Sequence, residues 1–248
     1  MDKFLYIAMS GAKENLNSLA IRSNNLANAN TLGFKADFEE ARAMQAYGDG
    51  LPSRVFAMTE RPGQNFQQGS LQTTGRDLDV AVKGDGWLTV QDANGKEAYT
   101  RNGSLQVSPL GILQTSTGLN VLDTSGQPIT LPMPVEKIQI AEDGTINARL
   151  QGANPAAIDT LQQIKLVNPI NKDLTKGDDG LFRRTDGNTE PVSANVHLAS
   201  GALENSNVNA VEELTNLIKL QRQFDTQIKM MSTAEKDDES QTQLLKLG

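Results

Sequence analysis

Near the N-terminus, Leu5, Met9, Ala12, Leu16, Leu19 and Leu26 recur at alternating spacings of four and three, with Ser23 in the same register. Such a stripe occupies one side of an α-helix, in the manner of a heptad seam. Lys13, Glu14, Asn17 and Arg22 fall on the other faces, so the pattern predicts an amphipathic helix about 39 Å long at 1.5 Å per residue. It runs into Asn24-Asn25-Leu26-Ala27-Asn28-Ala29-Asn30. Asparagine competes with the helix for backbone hydrogen bonds and tolerates left-handed conformations, and Gly33 follows, so the helix should end near Asn28. At the other end of the chain, Asn209 and Glu212 stand three apart like a capping box, and Glu213 adds a second acid in the first turn. Leu214, Leu217, Gln221, Phe224, Ile228 and Met231 then repeat the same spacing, with Lys219, Arg222 and Lys229 on other faces.

The middle has a different period. Trp87-Leu88-Thr89-Val90 and Ala98-Tyr99-Thr100 flank Asn94-Gly95, which predicts a hairpin with a tight turn. Ser104 to Val107 and Ile112 to Gln114 form a second pair across Ser108-Pro109-Leu110-Gly111. Ile138 to Ile140 and Thr145 to Asn147 form a third across Asp143-Gly144. Short strands at short spacing predict a mainly antiparallel β domain over residues 80–200. Residues 34–79 are polar and irregular, and are expected as an extended connector between the N-terminal helix (1–33) and that domain; residues 201–248 make the C-terminal helical part. The fold class is α+β. Prolines support the division, because all nine fall between residues 52 and 191 and none lies in either terminal stretch. Two arrangements remain open on periodicity alone: both helices pack on one globular core, or they pair with each other as a coiled coil away from it.

Composition narrows the chemistry. The chain has 248 residues, with 38% hydrophobic and 21% charged residues, enough for one or two domains. Only 7 Phe, 3 Tyr and 1 Trp are present, so a large aromatic core is not expected. The 20 Asn and 18 Gln provide much adaptable polar surface. A net charge of -7 argues against a nucleic-acid partner, whose binding rests on neutralised phosphates. The absence of cysteine excludes disulfides, thiolate catalysis and Cys-based metal sites, and the single histidine, His197, does not make a His-rich one. No apolar run approaches the roughly 18 residues of a membrane span. The longest N-terminal run, Phe4 to Met9, is too short for a cleaved secretory signal.

Catalytic patterns are nearly missing. Ser10-Gly11-Ala12-Lys13 matches S-x-x-K, but its companion motifs are absent. Gly84-Asp85-Gly86 and Gly177-Asp178-Asp179-Gly180 lack the ladder of a calcium loop and read as turns. His197 reads as a surface or structural residue. No catalytic, cofactor-binding, small-molecule or metal site is expected. A β-rich binding module or hydrolase stands as the competing class, although no paired carboxylates appear in a recognisable setting.

Four segments carry a resemblance: SNNLANANTLGFK at 23–35, GRDLDVAVKGDGWLTV at 75–90, YTRNGSL at 99–105 and ENSNVNAVEELTNLIKLQRQFDTQIKMMSTA at 204–234. In this order they resemble the flagellar axial proteins that build the bacterial rod and hook. The MDKFLYIAMSGAKENLN start and the YTRNGSLQV segment are most similar to the proximal-rod type, with distal-rod and hook-type members as the alternatives. The resemblance implies a non-enzymatic structural subunit of the periplasmic rod, assembling with itself and other rod proteins into a torque-transmitting helical shaft. It implies delivery by the flagellar export apparatus without a cleaved signal. It further implies that the terminal helices form a coiled-coil-like axial domain, with Leu5, Met9, Leu16, Leu19, Leu26, Leu214, Leu217, Phe224, Ile228 and Met231 as assembly seams. The rod motif maps onto Asn25, Leu26, Ala27, Asn28, Thr31, Gly33, Phe34, Asn207 and Asn209.

Overall fold

The computed structural model describes residues 2–38, 41–45, 55–59, 63–152 and 159–246, with side-chain surroundings for 8–38, 63–152, 159–237 and 240. The fold is α+β, with two α-helices and antiparallel strand pairs among the described residues. It divides into two compact units. One comprises residues 1–29, 36–65 and 208–248; the other comprises 30–35 and 66–207. These boundaries differ from the expected ones. Asn30–Lys35 belongs with the strands, and the supposed connector contributes to both units.

In the helical unit, α1 spans Asp2–Ala27 and α2 spans Ala210–Lys246. Helix α1 ends as its asparagines foretell: the Asn28 backbone N–H bonds to the carbonyls of both Asn24 and Asn25, and Ala29 N–H turns to Leu26. Helix α2 starts as its cap foretells, with Asn209 Oδ1 accepting from the N–H groups of Val211 at 3.1 Å and Glu212 at 3.4 Å. The stretch read as a connector carries strands. Asp37–Phe38 pairs with Gly63–Gln64, and Ala41–Gln45 pairs with Val55–Thr59, both antiparallel. Their short length and absence of clean alternation hid them in the sequence.

The β-rich unit is built on a five-stranded antiparallel sheet in the order Leu166–Val167, Trp87–Gln91, Glu97–Thr100, Phe182–Arg184, Leu174–Lys176. A three-stranded sheet orders Val135–Ile140, Thr145–Leu150 and Asp159–Gln163. Three two-stranded pairs complete it: Leu105–Val107 with Leu113–Thr115, Val80–Lys83 with His197–Ser200, and Leu71–Thr73 with Ala202–Glu204. All three expected hairpins are present. Gly95, Gly111 and Gly144 adopt φ values of 77°, 79° and 85° at their turns, a region that costs a β-carbon dearly. The first turn is looser than expected. Gln91 pairs with Glu97, so residues 92–96 form the connection, organised by Asp92 Oδ1 accepting from Asn94 N–H at 2.9 Å and Lys96 N–H at 2.8 Å.

The main core is aliphatic, including Val80, Val90, Leu105, Leu113, Ile129, Ile146 and Leu198, each fully inaccessible. A smaller cluster gathers much of the scarce aromatic content. Trp87 and Phe182 lie 4.5 Å apart between ring centroids, Phe66 sits edge-on to Trp87 at 6.1 Å, and Tyr99 is buried beside them.

Candidate functional site

The helix pair buries small and polar residues. Among the described side chains of α1, Ala8, Ala12 and Asn25 are the buried ones. At Gly11 an added β-carbon would stand 3.2 Å from Gln227 of α2, so the helices approach closely there. Close to the α1 C-terminus the contact is ionic: Arg22 Nη1 donates to both Glu213 carboxylate oxygens, at 3.1 and 3.2 Å. Between them the two helices enclose an open cavity of about 220 Å³ lined by Ser18, Ile21, Arg22, Asn216, Lys219, Leu220 and Gln223.

The covered face of α1 therefore lies roughly a quarter turn from the predicted seam, at 100° per residue. Met9 and Leu16 are 52% and 50% exposed, Leu19 and Leu26 are half-buried, and Ala12 alone of the stripe is fully covered. Leu5 lies on α1, but its side chain is outside the described residues. On α2 the stripe splits: Leu217, Phe224 and Met231 are half-buried, whereas Leu214 and Ile228 are exposed. Val211 and Ile218, which the heptad reading passed over, extend the exposed apolar face next to Leu214 at 73% and 55% exposure.

The rod-motif residues divide between the units. Asn25 is the best-ordered of them in chemical terms, because it copies a strand partner. Its Oδ1 accepts from Asp37 N–H at 2.9 Å and its Nδ2 donates to Asp37 O at 2.7 Å, with Glu213 Oε1 a further 3.4 Å neighbour. Asn25 thereby fixes α1, the strand at Asp37 and α2 together. Asn28 caps its own helix through Nδ2 to Asn24 O at 3.0 Å, and Asn209 caps α2. Leu26 and Ala27 close the last turn of α1. In the β-rich unit, Thr31 O accepts from Phe34 N–H, and Gly33 sits at φ 68° with its N–H on Glu204 O at 2.8 Å. A β-carbon on Gly33 would collide with the Arg101 backbone. Phe34 is buried beneath the Lys176 ammonium, 3.7 Å from its ring centroid, and Asn207 Nδ2 donates to Gln67 O at 3.0 Å.

Arg22 and Glu213 stood in the sequence only as a polar-face residue and a first-turn acid, and Lys35, Arg101 and Glu204, each inside a segment that carries the resemblance, were given no role of their own. The last three form a wholly interior ion cluster, with Lys35 Nζ 2.7 Å and Arg101 Nη1 3.0 Å from the Glu204 carboxylate. Burial pushes the Lys35 ammonium below its ordinary 10.5, against the opposing pull of the Glu204 hydrogen bond and charge. Nothing in a single sequence marks these three as partners, since charged residues usually point to water.

The minor candidates take ordinary roles. His197 is exposed on its strand opposite Lys83. Gly84 O accepts from Arg101 Nη2, and Asp179 holds a turn through Leu181 N–H and Arg183. Among the described residues no three His, Asp or Glu side chains converge as metal ligands, and no helix is long and apolar enough to cross a membrane.

Three family models match the chain. Residues 5–35 match the flagella basal body rod protein family, 81–148 the flagellar hook protein FlgE/F/G D1 domain, and 199–244 the flagellar basal body rod FlgEFG protein C-terminal family. The chain is similar to the flagellar basal-body rod protein FlgF of Escherichia coli, at 40% identity over 100% of both chains. It is similar to that of Caulobacter vibrioides at 37%, covering 95% of each. The flagellar basal-body rod protein FlgG of Agrobacterium fabrum is 31% identical over 93% of this chain and 95% of its own. This chain belongs to the flagellar basal-body rod protein family.

Proposed function

We propose that this structural subunit of the bacterial flagellar basal-body rod builds the proximal part of the shaft by packing its exposed helix faces against neighbouring subunits. The observation that carries the reading is the row of large apolar side chains left open on both helices. Met9, Leu16, Val211, Leu214, Ile218 and Ile228 are each between 43% and 73% exposed, while the buried positions among the described helix residues are Ala8, Ala12, Asn25 and Glu213. Uncovered apolar surface of this kind marks an interface. The terminal helices then form a coiled-coil-like axial domain with helices of further axial proteins and other copies of this chain, and the β-rich unit makes the outer layer. Contacts between unlike faces whose rotation does not close give, on repetition, a helical shaft able to carry torque.

The role is mechanical, without catalysis, substrate or nucleic acid. The rod lies in the periplasm, and the chain reaches it through the flagellar export apparatus. A distal-rod or hook-type position is the second reading, favoured by the 31% identity to FlgG over nearly the same span. The test is a strain carrying Leu16→Gln with Ile218→Gln. Loss of motility and of the subunit from isolated basal bodies, with the monomer still folded, is the expected result; normal motility and normal incorporation refute the reading. Cross-linking to neighbours in isolated basal bodies then separates a proximal from a distal position.

A further inference from the structure

The ion cluster of the β-rich unit takes no part in the helix faces. Its members come from segments far apart: Lys35 and Arg101 precede Glu204 by 169 and 103 residues. The Lys35 and Glu204 side chains are fully inaccessible and that of Arg101 is 4% exposed. Both carboxylate oxygens are engaged. Oε1 accepts from Lys35 Nζ at 2.7 Å and Gly69 N–H at 3.0 Å, and Oε2 accepts from Arg101 Nη1 at 3.0 Å. Backbone carbonyls supply the other acceptors, Gln67 O for Lys35 at 2.7 Å and Gly84 O for Arg101 at 2.8 Å.

With the Asp85 charge a weaker influence on Lys35, one hydrogen-bonded anion thus serves two buried cations. Without it, two like charges would share a dry site, which is far more costly than the pair itself. The cluster also sits where a strand and a loop meet. Gly33 N–H bonds to Glu204 O, Asn207 N–H bonds to Phe34 O, and Lys176 Nζ donates to Lys35 O at 2.9 Å. Phe34 and Leu32 are the only sizeable apolar side chains that Asn30–Lys35 could bury. Docking of this segment therefore leans on charge neutralisation as much as on apolar contact.

We propose that Glu204 is a closing latch: the segment Asn30–Lys35 docks onto the β-rich unit only after Ala202–Glu204 pairs with Leu71–Thr73 and delivers the anion that Lys35 and Arg101 require. In a chain made from its N-terminus, Lys35 and Arg101 exist long before Glu204. The latch keeps the segment following α1 undocked until the final strand of the unit is present. Premature closure around an incomplete sheet is thereby disfavoured. This inference rests on the interior geometry alone and stands apart from the rod reading.

The test is hydrogen exchange on full-length Glu204→Gln, which keeps the shape and removes the charge. Exchange at residues 31–35 and 67–69 should quicken about tenfold or more while Trp87–Gln91 and Glu97–Thr100 keep their rates. Unchanged exchange at 31–35 overturns the proposal. If Glu204→Gln exchanges throughout, the double variant Lys35→Met with Glu204→Gln restores the original net charge of the cluster. Recovery of protected strands then supports the latch, and no recovery overturns it. Kinetics test the order of events: the same substitution should speed unfolding about tenfold and change refolding less than about twofold. Slower refolding with unchanged unfolding overturns late closure.

Discussion

The helical unit and the β-rich unit bury opposite kinds of residue. In the β-rich unit, valine, leucine and isoleucine fill a continuous interior with exposures near zero, and even the charged cluster there shares one carboxylate between its two cations. In the helical unit, the buried helix positions among the described residues are Ala8, Ala12, Asn25 and Glu213, while Met9, Leu16, Val211 and Ile218 face solvent. The first arrangement closes on itself. The second spends its polar groups on fixing one helix against the other and leaves its apolar surface for another molecule. The difference teaches that an amphipathic stripe is not automatically a core stripe, because the chain can satisfy the pairing of its helices with small and hydrogen-bonding side chains.

The largest expected effect comes from breaking the closed core. Ile146 is fully buried in the main cluster, so Ile146→Ala should destabilise the β-rich unit by about 3 kcal/mol, read from its denaturant midpoint. The helical unit should respond instead to polar losses. Asn25→Ala removes both bonds to the Asp37 backbone and a neighbour of Glu213, and should cost about 2 kcal/mol, with helix signal lost at lower denaturant. Asn209→Ala removes the α2 cap at a cost of about 1 kcal/mol, seen as fraying of the first turn by hydrogen exchange.

Acid sharpens the contrast in a further, smaller way. Burial pushes the Asp92 carboxyl up, but the Lys96 N–H, the Arg183 guanidinium and the Asn94 N–H outweigh it and hold it below its ordinary 3.8. Arg183 does the same to Asp179 from the other side. A carboxylate depressed in the folded state contributes stability that is complete above the unfolded value and is lost as pH falls through the folded one. Thermal melts should therefore be flat near neutrality and shift down below about pH 4. Exchange should rise first in the turn at residues 92–96.

Much of this plan was legible in the chain because it is written in local signals. The asparagine run after α1, the Asn209 cap and the glycines of three turns act within a few residues of themselves, and each element ends or turns where they stand. The strands between residues 37 and 64 were not legible, being two to five residues long and without clean alternation. Periodicity located an apolar stripe on each helix but could not say which face the other helix would cover; Gly11 looks unremarkable until Gln227 is seen beside it. The motif residues Asn25 and Gly33 stood out by resemblance, and their chemistry emerged only with Asp37 and Arg101 in place. Glu204 opens the C-terminal resembling segment, but nothing local marked its partners, which are 169 and 103 residues away.

The central claim is that the open helix faces are covered only in the assembled rod, and Met9 reports on it directly. Methionine oxidation follows access, and Met9 is 52% exposed on α1. Purified monomer and isolated basal bodies would be treated alike with dilute peroxide, with Met133 of the β-rich unit, 57% exposed, as the reference in the monomer. The account predicts that Met9 oxidises about as fast as Met133 in the monomer and at least about tenfold more slowly in the basal body. Equal oxidation of Met9 in the two states would contradict it.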